Sequence, residues 1–197
     1  FFIIFNISFF LMKKIVLILF IYFINLSVFA TETKKAYFAG GCFWCMEESY
    51  DQVDGVLSSV SGYSGGHLKN PKYEDVIYKD TGHVEVIEVT YDPSIISYKD
   101  LLEVYWRNID PFDSEGQFCD KGKSYRSVIF FENNSQKELI DKSFKEIEKK
   151  FDKKIVTLVW KFDIFYPAEN YHQDYYEKNS SNLIYLFYKP KCICNRN

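Results

Sequence analysis

Two cysteines lie three positions apart in the segment Gly-Gly-Cys-Phe-Trp-Cys, residues 40–45. Cys42 follows two glycines, which allow a sharp backbone turn, at the point where a short strand gives way to a predicted helix. The free N–H groups and partial positive charge of a helix N-terminus favour a thiolate, so we expect the pKa of Cys42 to fall from ~8.5 toward neutral. Phe43 and Trp44 place aromatic surface beside the sulfur, which suits a methyl group bound to sulfur. The pattern predicts a reactive nucleophile, with a buried structural cysteine as the alternative.

The elements around Cys42 are predicted from hydrophobic periodicity and from turn and capping residues. Strands are expected at 35–40, 55–63, 83–91, 125–131 and 155–160, and helices at 42–53, 97–107, 135–150 and 170–178. Ser97 and Ser135 are the predicted N-caps of two of these helices, and 64–71 and 110–122 are predicted loops. Alternating strands and helices indicate an α+β, two-layer sandwich. We expect a ferredoxin-like βαββαβ-type core with extra helices and an irregular C-terminal tail.

Glu85 is the carboxyl group best placed for acid chemistry. In the predicted strand it shares a face with Ile87, Val89 and Tyr91, because alternate residues of a strand point to the same side. Burial on that largely apolar face would raise its pKa, and a glutamic acid with a pKa near neutral can donate a proton. Glu88 lies on the opposite face and is the weaker candidate. A solvated strand carboxylate is the alternative for Glu85.

The composition fits a folded domain with redox chemistry. The chain has 197 residues, of which 47% are hydrophobic and 26% charged, so it can bury a core and is not a disordered chain. All five cysteines follow residue 41, and an odd number in an exported protein implies at least one free or exchanging thiol.

The first thirty residues predict export. Met12 precedes two lysines and an unbroken apolar run, and Val-Phe-Ala at 28–30 suits signal peptidase. We therefore expect residues 1–11 to be upstream translated sequence, Met12 the start, cleavage after Ala30, and a single catalytic domain at 31–197. The alternative is an uncleaved membrane anchor. Cleavage leaves 22 basic and 27 acidic residues, a net charge of −5, which gives no electrostatic reason to bind nucleic acid.

Further segments resemble the peptide methionine sulfoxide reductase A family. The match begins at 41–44 and continues in chain order through 61–66, 70–73, 82–85, 91–93, 125–127 and 168–174. Together these segments span about residues 36–188, nearly all of the predicted mature chain. The resemblance implies thiol-dependent reduction of (S)-methionine sulfoxide, protein-bound or free, and so the repair of oxidised proteins in the periplasm or outside the cell.

The resemblance also assigns site residues. Cys42 would attack the sulfoxide sulfur, and Glu85 matches the acid that protonates the oxygen. Tyr73 and Tyr125 match two tyrosines that hydrogen-bond this oxygen, and Asp120 matches an acid that orients the site. Phe43 and Trp44 would line the substrate pocket. His172 and Asp174 resemble a structural motif near the pocket and are not predicted to be catalytic.

Two cysteines are candidates for the thiol that reacts with the resulting sulfenic acid. Cys45 lies one helical turn from Cys42, and Cys192 stands where the family often carries a resolving cysteine on its C-terminal tail. The tail departs from the family pattern because it reads Cys-Ile-Cys-Asn-Arg-Asn and then stops. Cys194 could continue a thiol relay, and Cys119 is expected to be a loop thiol near the pocket.

Two other functions compete with this interpretation. The CxxC motif alone would suit a thioredoxin-like disulfide oxidoreductase, although Phe-Trp is an unusual pair between its cysteines. Cys42, Cys45, Cys192 and Cys194 could instead form a structural zinc site. A c-type haem is excluded because Met46 stands where CxxCH requires histidine. We expect no cofactor or metal, a monomer, and an external thioredoxin-like thiol donor as the reductant.

Overall fold

The computed structural model describes residues 32–179 and, before them, Lys14. The strands are β1 Lys34–Gly40, β2 Val56–Ser64, β3 Val84–Tyr91, β4 Gly116–Gln117, β5 Asp120–Lys121, β6 Ser127–Phe131, β7 Leu158–Lys161 and β8 Phe165–Pro167. The helices are α1 Phe43–Asp51, α2 Tyr73–Tyr78, α3 Tyr98–Asn108, α4 Asn134–Phe151 and α5 Tyr175–Asn179, with a 3₁₀ turn at Lys123–Tyr125. Within this part of the chain, no helix has both the length and the apolar character needed to cross a membrane.

Six strands form one sheet in the order β7-β6-β1-β3-β2-β8. Strand β1 pairs antiparallel with both β3 and β6, β2 pairs antiparallel with β3, and β7 runs parallel to β6. The inner order β6-β1-β3-β2, with α1 and α3 as the crossover helices, is the ferredoxin-like βαββαβ arrangement. The predicted α+β class and its core are therefore confirmed, while the predicted C-terminal tail lies outside the described residues.

The helices cover one face of the sheet and form the main core. Phe38 and Ile87 of the sheet pack against Tyr50 of α1, Leu101 of α3 and Ile140 of α4, and all five side chains are fully buried. Burying a side chain of this kind contributes about 1.5–3 kcal/mol relative to exposure. This packing fixes α1, and with it the segment that precedes α1, against the centre of the sheet.

The opposite face of the sheet is covered by aromatic residues around the β7–β8 connection. Val84 and Val86 of β3 belong to this second cluster, which confirms that alternate residues of β3 face opposite layers. Tyr37 of β1 stacks on Phe162 with ring centroids 3.8 Å apart, and its hydroxyl donates to Glu88 at 2.9 Å. Glu88 therefore lies on the face opposite Glu85, as predicted.

The edge of the sheet at β2 is completed by a side chain. The amide of Gln173 accepts a hydrogen bond from the Ser61 N–H and donates one to the Ser61 carbonyl, each at 2.9 Å. It also donates to the carbonyl of Ala168, just after β8, at 3.0 Å. This amide occupies the position that a further peptide group of β8 would take beside β2.

Several short elements were not predicted. Helix α2, strand β8 and the hairpin of β4 and β5 have two to six residues each, too few for hydrophobic periodicity to be visible. The predicted cap Ser135 is wrong, because Asn133 accepts the hydrogen bond from the Gln136 N–H and α4 begins earlier. Helix α5 begins only at Tyr175, because Asp174 adopts a left-handed conformation with φ of 52°. Ser97 caps α3 as predicted.

Candidate active site

Cys42 lies at the junction of β1 and α1. Gly41 turns the chain with φ of +83°, and a Cβ atom there would lie 2.6 Å from the Cβ of Gln117, so only glycine fits. Cys42 is the N-cap residue of α1, and its carbonyl accepts from the N–H groups of Cys45 and Met46 at 3.1 and 3.3 Å. Its thiol is free and half-buried. The predicted helix start is confirmed, with Cys42 capping the helix instead of belonging to it.

Glu85 is held against the backbone next to Cys42. Its side chain is 1% exposed, and one carboxyl oxygen accepts a hydrogen bond from the Phe43 N–H at 2.9 Å. Burial raises the pKa of Glu85 to about 8, the Phe43 N–H opposes this rise, and the negative charge of Asp120 adds to it. The pKa therefore lies where the sequence predicted it, for the predicted reason of desolvation.

Tyr73 and Tyr125 meet beside this carboxyl group. Their side chains lie close enough for each to shift the pKa of the other. Burial raises the pKa of both phenols, and the charge of Glu85 raises both further. Tyr73 also interacts electrostatically with Cys42. The two phenols, the acid and the thiol thus form one cluster, although Tyr73 begins α2 and Tyr125 ends the 3₁₀ turn.

Asp120 acts on this cluster through its charge. It lies in β5 and is half-buried. Burial raises its own pKa, and its charge raises the pKa of both Glu85 and Cys42. The structure therefore places Asp120 as an electrostatic neighbour of the acid and the thiol.

The predicted aromatic walls differ in exposure. Phe43 is 1% exposed and packs in the core against Tyr63, with ring centroids 5.9 Å apart. Trp44 is half-buried and stacks on Tyr175 at 3.7 Å, and its indole N–H donates to Nδ1 of His172 at 3.2 Å. Of the two, Trp44 is therefore the residue with solvent-accessible aromatic surface, because the Phe43 ring is buried in the core.

Two residues near the C-terminal end of the described chain position the site more directly than the sequence predicted. His172 is 2% exposed and lies against the rings of Tyr73 and Phe43, at 4.6 and 5.0 Å between centroids. Burial lowers its pKa, so it is neutral near pH 7. Glu169 accepts from the Tyr73 N–H and from the Tyr63 hydroxyl, both at 3.1 Å. Only the matching segment 168–174 pointed to these residues.

The pKa of Cys42 contradicts the sequence prediction. Burial raises it above the usual value, and the charges of Glu85 and Asp120 raise it further. Backbone N–H groups of Cys45 and Trp44 lower it, as expected at a helix start, but by less. Desolvation and the two carboxyl groups therefore outweigh the helix terminus, and the resting thiol is protonated.

Two further cysteines of the described chain are disulfide-bonded. Cys45 and Cys119 are each disulfide-bonded, so Cys119 is not the free loop thiol that was predicted. Cys45 is not bonded to Cys42, whose thiol is free. A zinc site needs cysteine thiolates, and Cys45 cannot supply one while it is disulfide-bonded, so the structure does not favour the four-cysteine zinc alternative. Cys192 and Cys194 lie outside the described residues.

Comparisons with known proteins identify the family of this chain. A family model for peptide methionine sulfoxide reductase matches residues 34–196. The peptide methionine sulfoxide reductase MsrA of Listeria welshimeri is 51% identical over 151 residues, which are 76% of this chain and 85% of that protein. Among solved structures, reduced Mxr1 from Saccharomyces cerevisiae has a TM-score of 0.72 and 33% identity, covering 78% of this chain and 89% of that one. Mxr1 in complex with Trx2 has a TM-score of 0.50 and 26% identity, covering 74% and 86%. These matches leave the thioredoxin-like alternative without support. The chain therefore belongs to the peptide methionine sulfoxide reductase family and is an oxidoreductase that reduces methionine sulfoxide.

Proposed function

We propose that Cys42 attacks the sulfur of methionine sulfoxide while Glu85 donates a proton to the departing oxygen. The observation that carries this proposal is the 2.9 Å hydrogen bond from the Phe43 N–H to the Glu85 carboxyl group. It fixes the acid one residue from the nucleophile. With a pKa of about 8, Glu85 is protonated and able to donate at neutral pH.

The raised pKa of Cys42 requires that its proton leave during the reaction. Glu85 can accept the thiol proton after giving its own to the sulfoxide oxygen, so it ends the step unchanged. Oxygen is transferred to Cys42, the sulfoxide becomes a thioether, and Cys42 becomes a sulfenic acid that retains one proton. The step balances without any further reductant.

Tyr73 and Tyr125 are proposed to hydrogen-bond the sulfoxide oxygen. Their phenols lie near each other and near Glu85, so together with the protonated acid they offer three hydrogen-bond donors. Trp44 is half-buried, lies two residues from Cys42 along the chain, and would contact the methyl group. From the resemblance to the family, we propose that the site accepts the S epimer, protein-bound or free.

The sulfenic acid is then proposed to condense with a second thiol, forming a disulfide and releasing water. Cys45 and Cys192 are the candidates, with Cys194 continuing the relay. Cys45 is disulfide-bonded in the structure and must be reduced before it can act. The yeast relative Mxr1 forms a complex with Trx2, which supports a thioredoxin-like thiol donor for this chain.

We propose that the protein works outside the cytosol. The support is the sequence pattern of Met12, two lysines, an apolar run and Val-Phe-Ala at 28–30, all outside the described residues apart from Lys14. Intact-mass measurement of the protein recovered from the cell envelope or medium tests this. A mature chain that begins at residue 31 is the expected product, and a cytosolic chain that begins at Met12 would contradict export.

Single-turnover reduction tests the chemistry. Reduced protein is mixed with a peptide that carries either epimer of methionine sulfoxide, and methionine is quantified without any reductant. Cys42→Ser should form no methionine, and Glu85→Gln should slow the step by about 10²–10⁴-fold, the usual contribution of a general acid. Reduction by Cys42→Ser at the wild-type rate would refute the nucleophile. Mass spectrometry of the trapped disulfide identifies the resolving cysteine, and a persistent sulfenic acid would exclude both candidates.

A further inference from the structure

The two ring nitrogens of the buried His172 differ in their partners. Nδ1 accepts a hydrogen bond from the indole N–H of Trp44 at 3.2 Å. An indole nitrogen can only donate, so Nδ1 must be unprotonated, and a neutral imidazole then carries its proton on Nε2. Burial lowers the pKa of His172, which keeps the ring in this neutral form near pH 7. The contact with Trp44 therefore fixes the tautomer of His172.

The nitrogen that carries the proton has no partner. His172 is 2% exposed, and its Nε2 is buried without a hydrogen bond to any of the described residues. Three aromatic rings lie against the imidazole, those of Tyr73, Phe43 and Tyr171, with centroids 4.6, 5.0 and 4.1 Å away. A buried donor left unpaired costs free energy, and a phenylalanine among the same rings would not have this cost. Stability alone therefore does not explain a histidine at this position.

The other buried histidine of the described chain is satisfied at both nitrogens. His83 is also 2% exposed. Its Nδ1 accepts from the Gly66 N–H at 3.2 Å, and its Nε2 lies 2.8 Å from the carbonyl oxygen of Leu68. His83 is thus explained by the backbone groups that it binds. Within the described residues, the ring of His172 makes one hydrogen bond, and its partner is Trp44.

Two contacts hold the indole ring of Trp44. The ring stacks on Tyr175 with centroids 3.7 Å apart and 6° between the planes. Stacked rings attract each other over a range of offsets, so the stack fixes the plane of the indole better than its position within that plane. The hydrogen bond to His172 acts at the edge of the ring and fixes this remaining freedom.

We propose that His172 is a positioning residue that orients Trp44 for the methyl group of methionine sulfoxide. The inference rests on the proposed function, because Trp44 must be the residue that contacts this methyl group. The acceptor on Nδ1 enriches the indole orientation that binds substrate, and apparent affinity rises with the population of the competent conformer. Because the methyl group does not react, His172 acts on substrate binding and not on oxygen transfer.

Two substitutions separate the acceptor of His172 from its ring. His172→Phe keeps an aromatic ring without an acceptor, whereas His172→Asn places an oxygen near the position of Nδ1 and loses the ring. The assay is single-turnover reduction with an excess of a methionine sulfoxide peptide. His172→Phe should raise the half-saturating peptide concentration by about three- to tenfold, the range for one hydrogen bond, with a rate at saturation close to that of the wild type. His172→Asn should keep most of the wild-type binding.

Thermal unfolding of the same variants should give the opposite order. His172→Phe should melt no lower than the wild type, because it removes the unpaired N–H. His172→Asn should melt lower, since it loses contact with three aromatic rings. His83→Phe is the matched control, and the loss of its hydrogen bonds should lower the melting temperature by about 2–4 °C or more. A fall of that size for His172→Phe would show that the imidazole serves stability and would contradict the inference.

Trp44→Phe shows whether His172 acts through Trp44. Phenylalanine at position 44 keeps an aromatic ring but has no N–H to donate. When Trp44→Phe is already present, His172→Phe should therefore raise the half-saturating concentration no further.

Three binding results would overturn the proposal. One is a half-saturating concentration of His172→Phe equal to that of the wild type, and another is an equal loss of binding in His172→Asn. The third is the same rise for His172→Phe when Trp44→Phe is already present. Failure of the proposed methyl contact is distinct, because Trp44→Ala would then bind the peptide as tightly as the wild type.

Discussion

Glu85→Gln should change how the stability of the protein depends on pH. The Glu85 side chain is 1% exposed, and its pKa is raised from 4.5 to about 8 by burial. Each pKa unit corresponds to ~1.36 kcal/mol, so ionising Glu85 costs up to about 5 kcal/mol more in the folded protein than in the unfolded chain. Glutamine keeps the carbonyl that can accept from the Phe43 N–H and has no proton to lose.

The direction of this pH dependence follows from the number of protons that the folded and unfolded states bind. Between pH 4.5 and about 8 the folded wild type holds a proton on Glu85 that the unfolded chain has lost. This group therefore lowers the free energy of unfolding as pH rises through that window, with no further loss above the folded pKa. Glu85→Gln has no such loss. Its free energy of unfolding, relative to that of the wild type, should therefore rise by up to about 1.4 kcal/mol per pH unit within this window and level off above it.

Urea unfolding at a series of pH values measures this difference. The other titrating groups cancel to the extent that they do not contact Glu85. All samples must have the same disulfide state, and Glu138→Gln serves as the matched control because Glu138 is exposed on α4. Its difference from the wild type should be flat. A flat difference for Glu85→Gln as well would show that Glu85 ionises like a solvated carboxyl group, which would refute the reasoning for a neutral acid beside Cys42.

Three further predictions concern the same site. Glu85→Gln should lower the pKa of Cys42, because the charge of Glu85 helps to raise that pKa. The pH dependence of Cys42 alkylation by iodoacetamide measures the change, and an unchanged pH profile would contradict the prediction. Tyr73→Phe and Tyr125→Phe should each lower kcat/KM by about tenfold, the worth of one hydrogen bond. The fold-loss in kcat/KM of the double variant should be smaller than the product of the two single fold-losses. A double variant that loses the full product would show that the phenols act independently. Gly41→Ala should lower the free energy of unfolding by about 2–3 kcal/mol, since φ is +83° and the methyl has no room; a loss under about 0.5 kcal/mol would show that the turn can relax.

The core elements and the burial of Glu85 were predictable from the local pattern of apolar residues in the sequence. Strand β3 is recognisable in the sequence, and the period of two along a strand assigns Glu85 to the same buried face as Ile87 and Val89. Burial then sets the direction of its pKa. The long helices α3 and α4 are equally visible, because each presents an apolar stripe over several turns.

The features that the sequence did not predict correctly depend on contacts between distant segments. Trp44 meets His172 across 128 positions, and Tyr73 meets Glu169 across 96, so no local pattern could indicate either pair. The predicted pKa of Cys42 was wrong for the same reason. A helix start is visible in the sequence, but the burial that raises the pKa of Cys42, and the carboxyl groups of Glu85 and Asp120 that raise it further, depend on the packing of distant segments.

The amide of Gln173 beside Ser61 has a consequence for self-association. An exposed strand edge presents unpaired N–H and carbonyl groups that can template pairing with another chain, which is a common start of aggregation. At this edge the Ser61 groups are already bonded by a side chain. Strand β8, the edge strand beyond it, has three residues and ends in Pro167, which cannot donate a hydrogen bond. Around Ser61 and along β8, the described chain therefore offers a second molecule no continuous ladder, and this part of the edge resists edge-to-edge pairing.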